Sequence, residues 1–198
     1  MGHEIQVMYA CWCIGTFVIT PLEQCALAFL SNARSEFERT ELKRMIMAGG
    51  TLLGISAGSV LLVPLLAPYM FTADTALWAP MRSVALPGFI SMVMAGIDVG
   101  MNGLLLAEGQ VAYMARAMLI NLGATAVYMF TRGRSGTLVD VWWGLVFFFC
   151  IRAAQGATKL LQIYVLDKPP RARCDMDLAP RGLGPSSTML SIDDPKPA

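Results

Sequence analysis

The strongest constraint on this chain is the spacing of its charges. Five long apolar intervals carry few of them, at residues 5 to 31, 46 to 70, 77 to 105, 110 to 130 and 138 to 165. Each is near or above the roughly 20 residues that a helix needs to cross a bilayer. Backbone polar groups in lipid have to be satisfied within a segment, and these runs lack the alternation of barrel strands, so helices are the expected form. Composition agrees: 56% of the 198 residues are hydrophobic and 15% charged, against about 25% charged in ordinary soluble domains. Mean hydropathy is +0.56. The expected fold is therefore all-α, a polytopic transmembrane helical bundle of five spans over residues 5–165, with a polar tail, 166–198, too rich in Pro, Arg, Asp, Gly and Ser to pack and expected to be disordered.

Several function classes are disfavoured by the same reading. A net charge of +1, with no dense basic run, gives no footprint for nucleic acid. The one histidine, His3, argues against a histidine metal site or a Ser-His-Asp triad, and no nucleophile and base pair stands out for an intramembrane enzyme. Cys11, Cys13, Cys25, Cys150 and Cys174 lack zinc-ligand spacing and read as small, buried apolar residues. No cofactor or metal is expected. The start of the chain has no basic region ahead of its first apolar run, unlike a secretory signal or a transit peptide.

The connections are short or charged. Ser35 to Arg44 mixes Phe37 and Leu42 with charges and reads either as a short interfacial helix or as a solvated link. Pro64 and Pro68 close the second span, and Pro80 and Pro87 lie near the start of the third, where kinks are expected. Trp78, Trp142 and Trp143 fall near span ends and read as interfacial anchors. Arg34, Arg39, Lys43, Arg44, Arg116, Lys168, Arg171 and Arg173 flank the spans on one side, outnumbering Arg82, Arg132 and Arg134 on the other. That bias puts the C-terminus on the cytoplasmic or an equivalent side. The N-terminus then falls opposite, and a missing upstream helix would account for it.

Ionisable groups inside spans are costly and mark candidate sites. Glu23, in the first span, is either a protonatable or cation-binding carboxylate facing a central cavity, or a kink-associated acid bonded to a neighbouring helix. Asp98 precedes Asn102 by one turn, so acid and amide share a face. That face lines either a cavity or a helix contact, and nearby Gly96, Gly100 and Gly103 favour tight packing. Arg152, in the last span, needs a partner or a polar cavity, whereas Lys159 can snorkel. Asn121 is a lone amide suited to joining helices. Glu23 and Asp98 are thus the candidates for coupling to a cation or proton, and Gln24, Asn102, Asn121 and Arg152 those for lining a cavity.

The order of these features resembles the last five helices of multidrug and toxic compound extrusion (MATE) transporters. The landmarks are Pro21-Leu22-Glu23-Gln24, Met70-Phe71-Thr72-Ala73-Asp74, Leu86-Pro87, Met101-Asn102-Gly103-Leu104 and Val141-Trp142-Trp143-Gly144, over residues 8 to 165. The resemblance implies helices eight to twelve of a twelve-helix transporter with two six-helix lobes, which exports organic compounds against a proton or sodium gradient. Asn102 stands where the family's tenth helix often has an acid before glycine. Asp98 would have to serve instead. The closest likeness is to the eukaryotic branch with plastid-envelope members, which makes that envelope the first expectation and the plasma or vacuolar membrane the alternatives. The implied partners are an organic small molecule, H+ or Na+, the lipid bilayer, and the missing N-terminal lobe or a second subunit. The competing reading is a truncated, non-transporting membrane protein that acts only by pairing with another subunit or lobe.

Overall fold

The computed structural model describes residues 3–132 and 136–166. No strand occurs among them, and five helical segments are long and apolar enough to cross a membrane: 6–32, 36–66, 75–107, 111–131 and 138–165. The protein is an all-α bundle with the helices of a multi-pass membrane protein. The expected tail lies, from residue 167 on, outside the described residues.

The first span is two helices, α1 (His3–Ile19) and α2 (Pro21–Asn32), joined at Thr20. Pro21 has no N–H to give the preceding turn, and Thr20 compensates by directing both its backbone N–H (2.9 Å) and its hydroxyl (2.8 Å) at the Thr16 carbonyl.

The second span is one helix, α3 (Glu36–Leu66). Both readings of 35–44, a short interfacial helix and a solvated link, are corrected here: the charged segment is the first turns of α3 itself. Its start is well determined. Ser35 Oγ accepts from the Glu38 N–H at 3.1 Å, and Glu38 reaches back to the Arg34 N–H at 3.0 Å, a capping-box arrangement with acids at the positive helix end. The helix runs through Pro64 and stops at Leu66 instead of residue 70. Ala67, preceding Pro68, leaves helical geometry (φ −135°, ψ 62°), as the residue before a proline tends to.

Helix α4 (Trp78–Ala107) follows two single turns of 3-10 helix, Pro68–Met70 and Thr75–Leu77. Pro80 sits in its first turn, where a missing N–H costs nothing. Pro87 lies inside the helix without ending it. Next come α5 (Val111–Thr131) and α6 (Leu138–Leu161), the latter closing in a π turn at Gln162–Leu166.

The bundle is organised around α4, whose most apolar stretch is 56% buried, against 6% for α5. Two features let α4 sit at the centre. Gly50, Gly54 and Gly58 form a small-residue stripe on α3, and a Cβ at Gly50 would lie 2.5 Å from the Gly96 carbonyl oxygen of α4. Only glycine permits so close a backbone approach. On the opposite end of α4, Met81 and Val84 pack with Leu61 and Trp142. Trp142 is 3% exposed, so the expected interfacial anchor is in fact a core residue whose ring lies against Gly88. Trp143 is exposed. Cys25 and Cys150 are exposed and Cys11 and Cys13 half-buried, so none of these four is buried as expected. Cys174 lies outside the described residues.

Candidate functional site

Two of the ionisable residues predicted inside the membrane, Asp98 and Arg152, meet across spans. Asp98 is carried by the central helix at 5% exposure. Asn102 donates from Nδ2 to Asp98 Oδ2 at 3.0 Å, as their one-turn spacing predicts. The same carboxylate oxygen accepts from Arg152 Nε at 2.8 Å. The side chains of Asp98 and Arg152 are 7% and 18% exposed. Arg152 is therefore satisfied by a partner on another span. Its Nη1 also contacts Met118 Sδ at 2.8 Å, and its guanidinium lies 5.9 Å from the centre of the Phe148 ring.

Packing explains why these side chains meet. Three glycines of α4 near Asp98 face other helices than α6: Gly96 meets α3 at Gly50 and Gly54, Gly100 meets Ile46 and Met47, and Gly103 meets Ala26 and the Glu23 backbone on α2. The two readings of this stretch, close packing and a polar stripe, both hold on different sides of one helix. On the α6 side, Gly156 is small enough for Met101 to lie against it.

Glu23 is half-buried on α2, whose backbone at that point packs against Gly103 of α4. Among the described residues no hydrogen bond or ion pair holds it. Gln24 points elsewhere and is exposed. Asn121 is fully buried between α5 and α6, where Nδ2 donates to the Phe148 carbonyl at 3.3 Å. Its Oδ1 has no hydrogen-bond partner among the described residues. It joins two helices and does not line the Asp98 cavity.

That cavity has a volume of about 20 Å3 and is bounded by Asp98, Asn102, Tyr113, Arg152 and Gln155. It has room for a single water or a bare ion and for no organic molecule. A larger apolar groove of about 240 Å3 lies between α5 and α6 beside Met129, Leu145 and Phe148. Ion-sized polar space and ligand-sized apolar space are thus separate. Among the described residues no three His, Cys, Asp or Glu side chains come together to hold a metal.

Sequence reasoning missed Tyr113 and Met118. Tyr113 donates to the Gln155 carbonyl at 2.8 Å, and its ring lies 5.5 Å from Lys159 Nζ. Nothing local in α5 marks either residue, because their importance comes from which helix is adjacent. A second polar cluster was also missed. Lys43 and Glu108 form an ion pair at 3.1 Å, Tyr164 donates to Glu108 at 3.1 Å, and Lys43 lies 3.9 Å above the Tyr164 ring. This cluster ties the start of α3, the α4–α5 connection and the end of the last span to one end of the bundle, the end with the expected basic excess.

Comparison with family models, with characterised proteins and with solved structures yields no match.

Proposed function

We propose that this chain forms part of a secondary active transporter, in which Glu23, Asp98 and Arg152 couple movement of an organic compound to a proton or sodium gradient. One observation carries the reading: a buried acid–base pair joins the third and last spans, and the first span, packed beside it at Gly103, carries a further acid, each of these charges being costly inside a membrane unless used or paired. Arg152 neutralises Asp98, while Glu23, an acid with no hydrogen bond or ion pair among the described residues, stands where α2 packs against α4. Protonation of Asp98 would release Arg152 toward Glu23, and loss of that proton would return it. Such an exchange gives the bundle two arrangements that an ion gradient can bias. The substrate would use apolar and aromatic surface away from the ion-sized cavity. The resemblance to MATE transporters supports the same class, with a plastid envelope as the first membrane to examine.

The test is gradient-driven efflux of a fluorescent dye from vesicles containing the chain, with Glu23→Gln and Asp98→Asn beside the parent. Loss of coupling in either variant is expected. Unchanged efflux in both would remove the role assigned to these acids.

A second reading is favoured by Gln24, which is exposed at mid-span, where lipid is a poor neighbour for an amide. On that reading the chain transports nothing alone and acts by packing this polar face against another lobe or subunit. Crosslinking in membranes separates the two: a captured helical partner together with no efflux by the chain alone supports the second.

A further inference from the structure

The end of the bundle that holds Lys43, Glu108 and Tyr164 contains a groove of about 630 Å3 between the start of α3 and the ends of α4 and α6. Its chemistry is two-sided. Three cations, Arg39, Lys43 and Arg44, face it alongside two acids, Glu36 and Glu108, and its floor is made of Met47, Leu104, Leu160 and Ile163. The acids do not use up the cations. Lys43 is paired with Glu108, and Arg44 with Glu41 at the surface. Arg39 Nε is buried and has no hydrogen-bond partner among the described residues. A buried guanidinium N–H without an acceptor is costly, and the side chain that carries it lines a groove large enough to hold an acceptor for the rest of the guanidinium.

We infer that this groove holds an anionic phospholipid, its headgroup phosphate received by Arg39 and Arg44 and an acyl chain laid along its apolar side at Met47 and Ile163. Phosphate suits the guanidinium groups, since planar N–H donors match its oxygens in pairs. The apolar floor suits a chain, and its position where charged helix ends meet apolar spans is the depth of a lipid headgroup. Free phosphate would use only the polar side of a groove this size, and a lining with three cations and two acids favours a headgroup that brings no positive group of its own. This site is separate from Asp98 and Glu23 and does not depend on how they act.

The experiment is native mass spectrometry of the full chain released from detergent containing equal amounts of dioleoyl phosphatidylglycerol and dioleoyl phosphatidylcholine. Selective retention of phosphatidylglycerol is expected. Arg39→Gln and Arg44→Gln should each reduce that selectivity about fivefold, the effect of one basic residue at an anionic surface. Arg82→Gln, at the opposite end of the bundle, should leave it unchanged. Arg44 is largely exposed and paired only at the surface, so its variant reports even if Arg39→Gln does not fold. Equal retention of the two lipids, selectivity surviving Arg44→Gln, or displacement of phosphatidylglycerol by millimolar inorganic phosphate would each overturn the assignment. The last outcome would make this a site for free phosphate.

Discussion

Arg152 donates from Nε to the carboxylate of Asp98 at 2.8 Å, across 54 positions of sequence and between two different spans. Neither charge would be tolerated there alone. Removing one partner of a buried pair typically costs about 3–5 kcal/mol, whereas replacing both with apolar residues of similar volume is often close to neutral. Asp98→Asn is therefore expected to destabilise the folded chain by about 3 kcal/mol. The double variant Asp98→Leu/Arg152→Met should recover most of the loss while abolishing any ion coupling. Reversible unfolding in detergent measures the first effect and vesicle efflux the second. A double variant as unstable as the sum of its singles would rule out the pair as their common cause.

The approach of α3 to α4 at Gly50 and Gly96 makes a sharper structural prediction. A methyl group at Gly50 meets a backbone oxygen at 2.5 Å, and a backbone cannot swing aside as a side chain tip can. Gly50→Ala should cost about 1–3 kcal/mol through forced separation of the helices. At Gly123 on α5 a Cβ meets nothing within 4 Å. There the same substitution should be neutral or stabilising by up to about 1 kcal/mol, the helix preference of alanine over glycine. The two thermal unfolding curves, compared with the parent, check both signs at once.

Adjacent tryptophans should behave differently. Trp142 is 3% exposed and Trp143 40% exposed. Trp142→Ala opens a cavity among Leu61, Met81 and Val84 and should cost about 3–5 kcal/mol. Trp143→Ala should produce a much smaller shift in the unfolding midpoint. Equal effects would show that position 142 also lies at the membrane interface.

Gln24 distinguishes a watery face from a lipid-facing one. Gln24→Cys, placed in a background with the five native cysteines replaced, is expected to react with a membrane-impermeant methanethiosulfonate. The same background carrying only Cys150, exposed on α6, should react only with a lipid-soluble maleimide. Failure of Gln24→Cys to react with the water-soluble reagent would exclude an aqueous cleft on this face, and a covering partner would then be required.

Much of the local structure was legible in the sequence. Ser35 and Glu38 mark the start of α3 through their three-residue spacing, Pro68 marks its end, and the interval from Asp98 to Asn102 brings an acid and an amide onto one face. Each is a property of a few neighbouring residues. Neither reading of Ser35 to Arg44, a short interfacial helix or a solvated link, foresaw that the segment begins α3, although the three-residue spacing of Ser35 and Glu38 is a signal that could have shown it. Trp142 was misread because closeness to a span end says nothing about which side of the helix faces the core. Gly50, Gly54 and Gly58 carried a readable four-residue period that points to a close helix contact, though not to its partner.

What the sequence determined by itself is the number, length and helical nature of the spans, since lipid leaves a backbone no other way to satisfy its hydrogen bonds within an apolar run. Only the tertiary structure decided that Arg152 is the partner of Asp98, that Asn121 joins two helices outside their cavity, and that Arg39 borders a groove. These depend on which helix faces which, and that is set by the fit of small residues such as Gly50 and Gly96 across an interface. A single strand of sequence carries the pieces of that fit without their pairing.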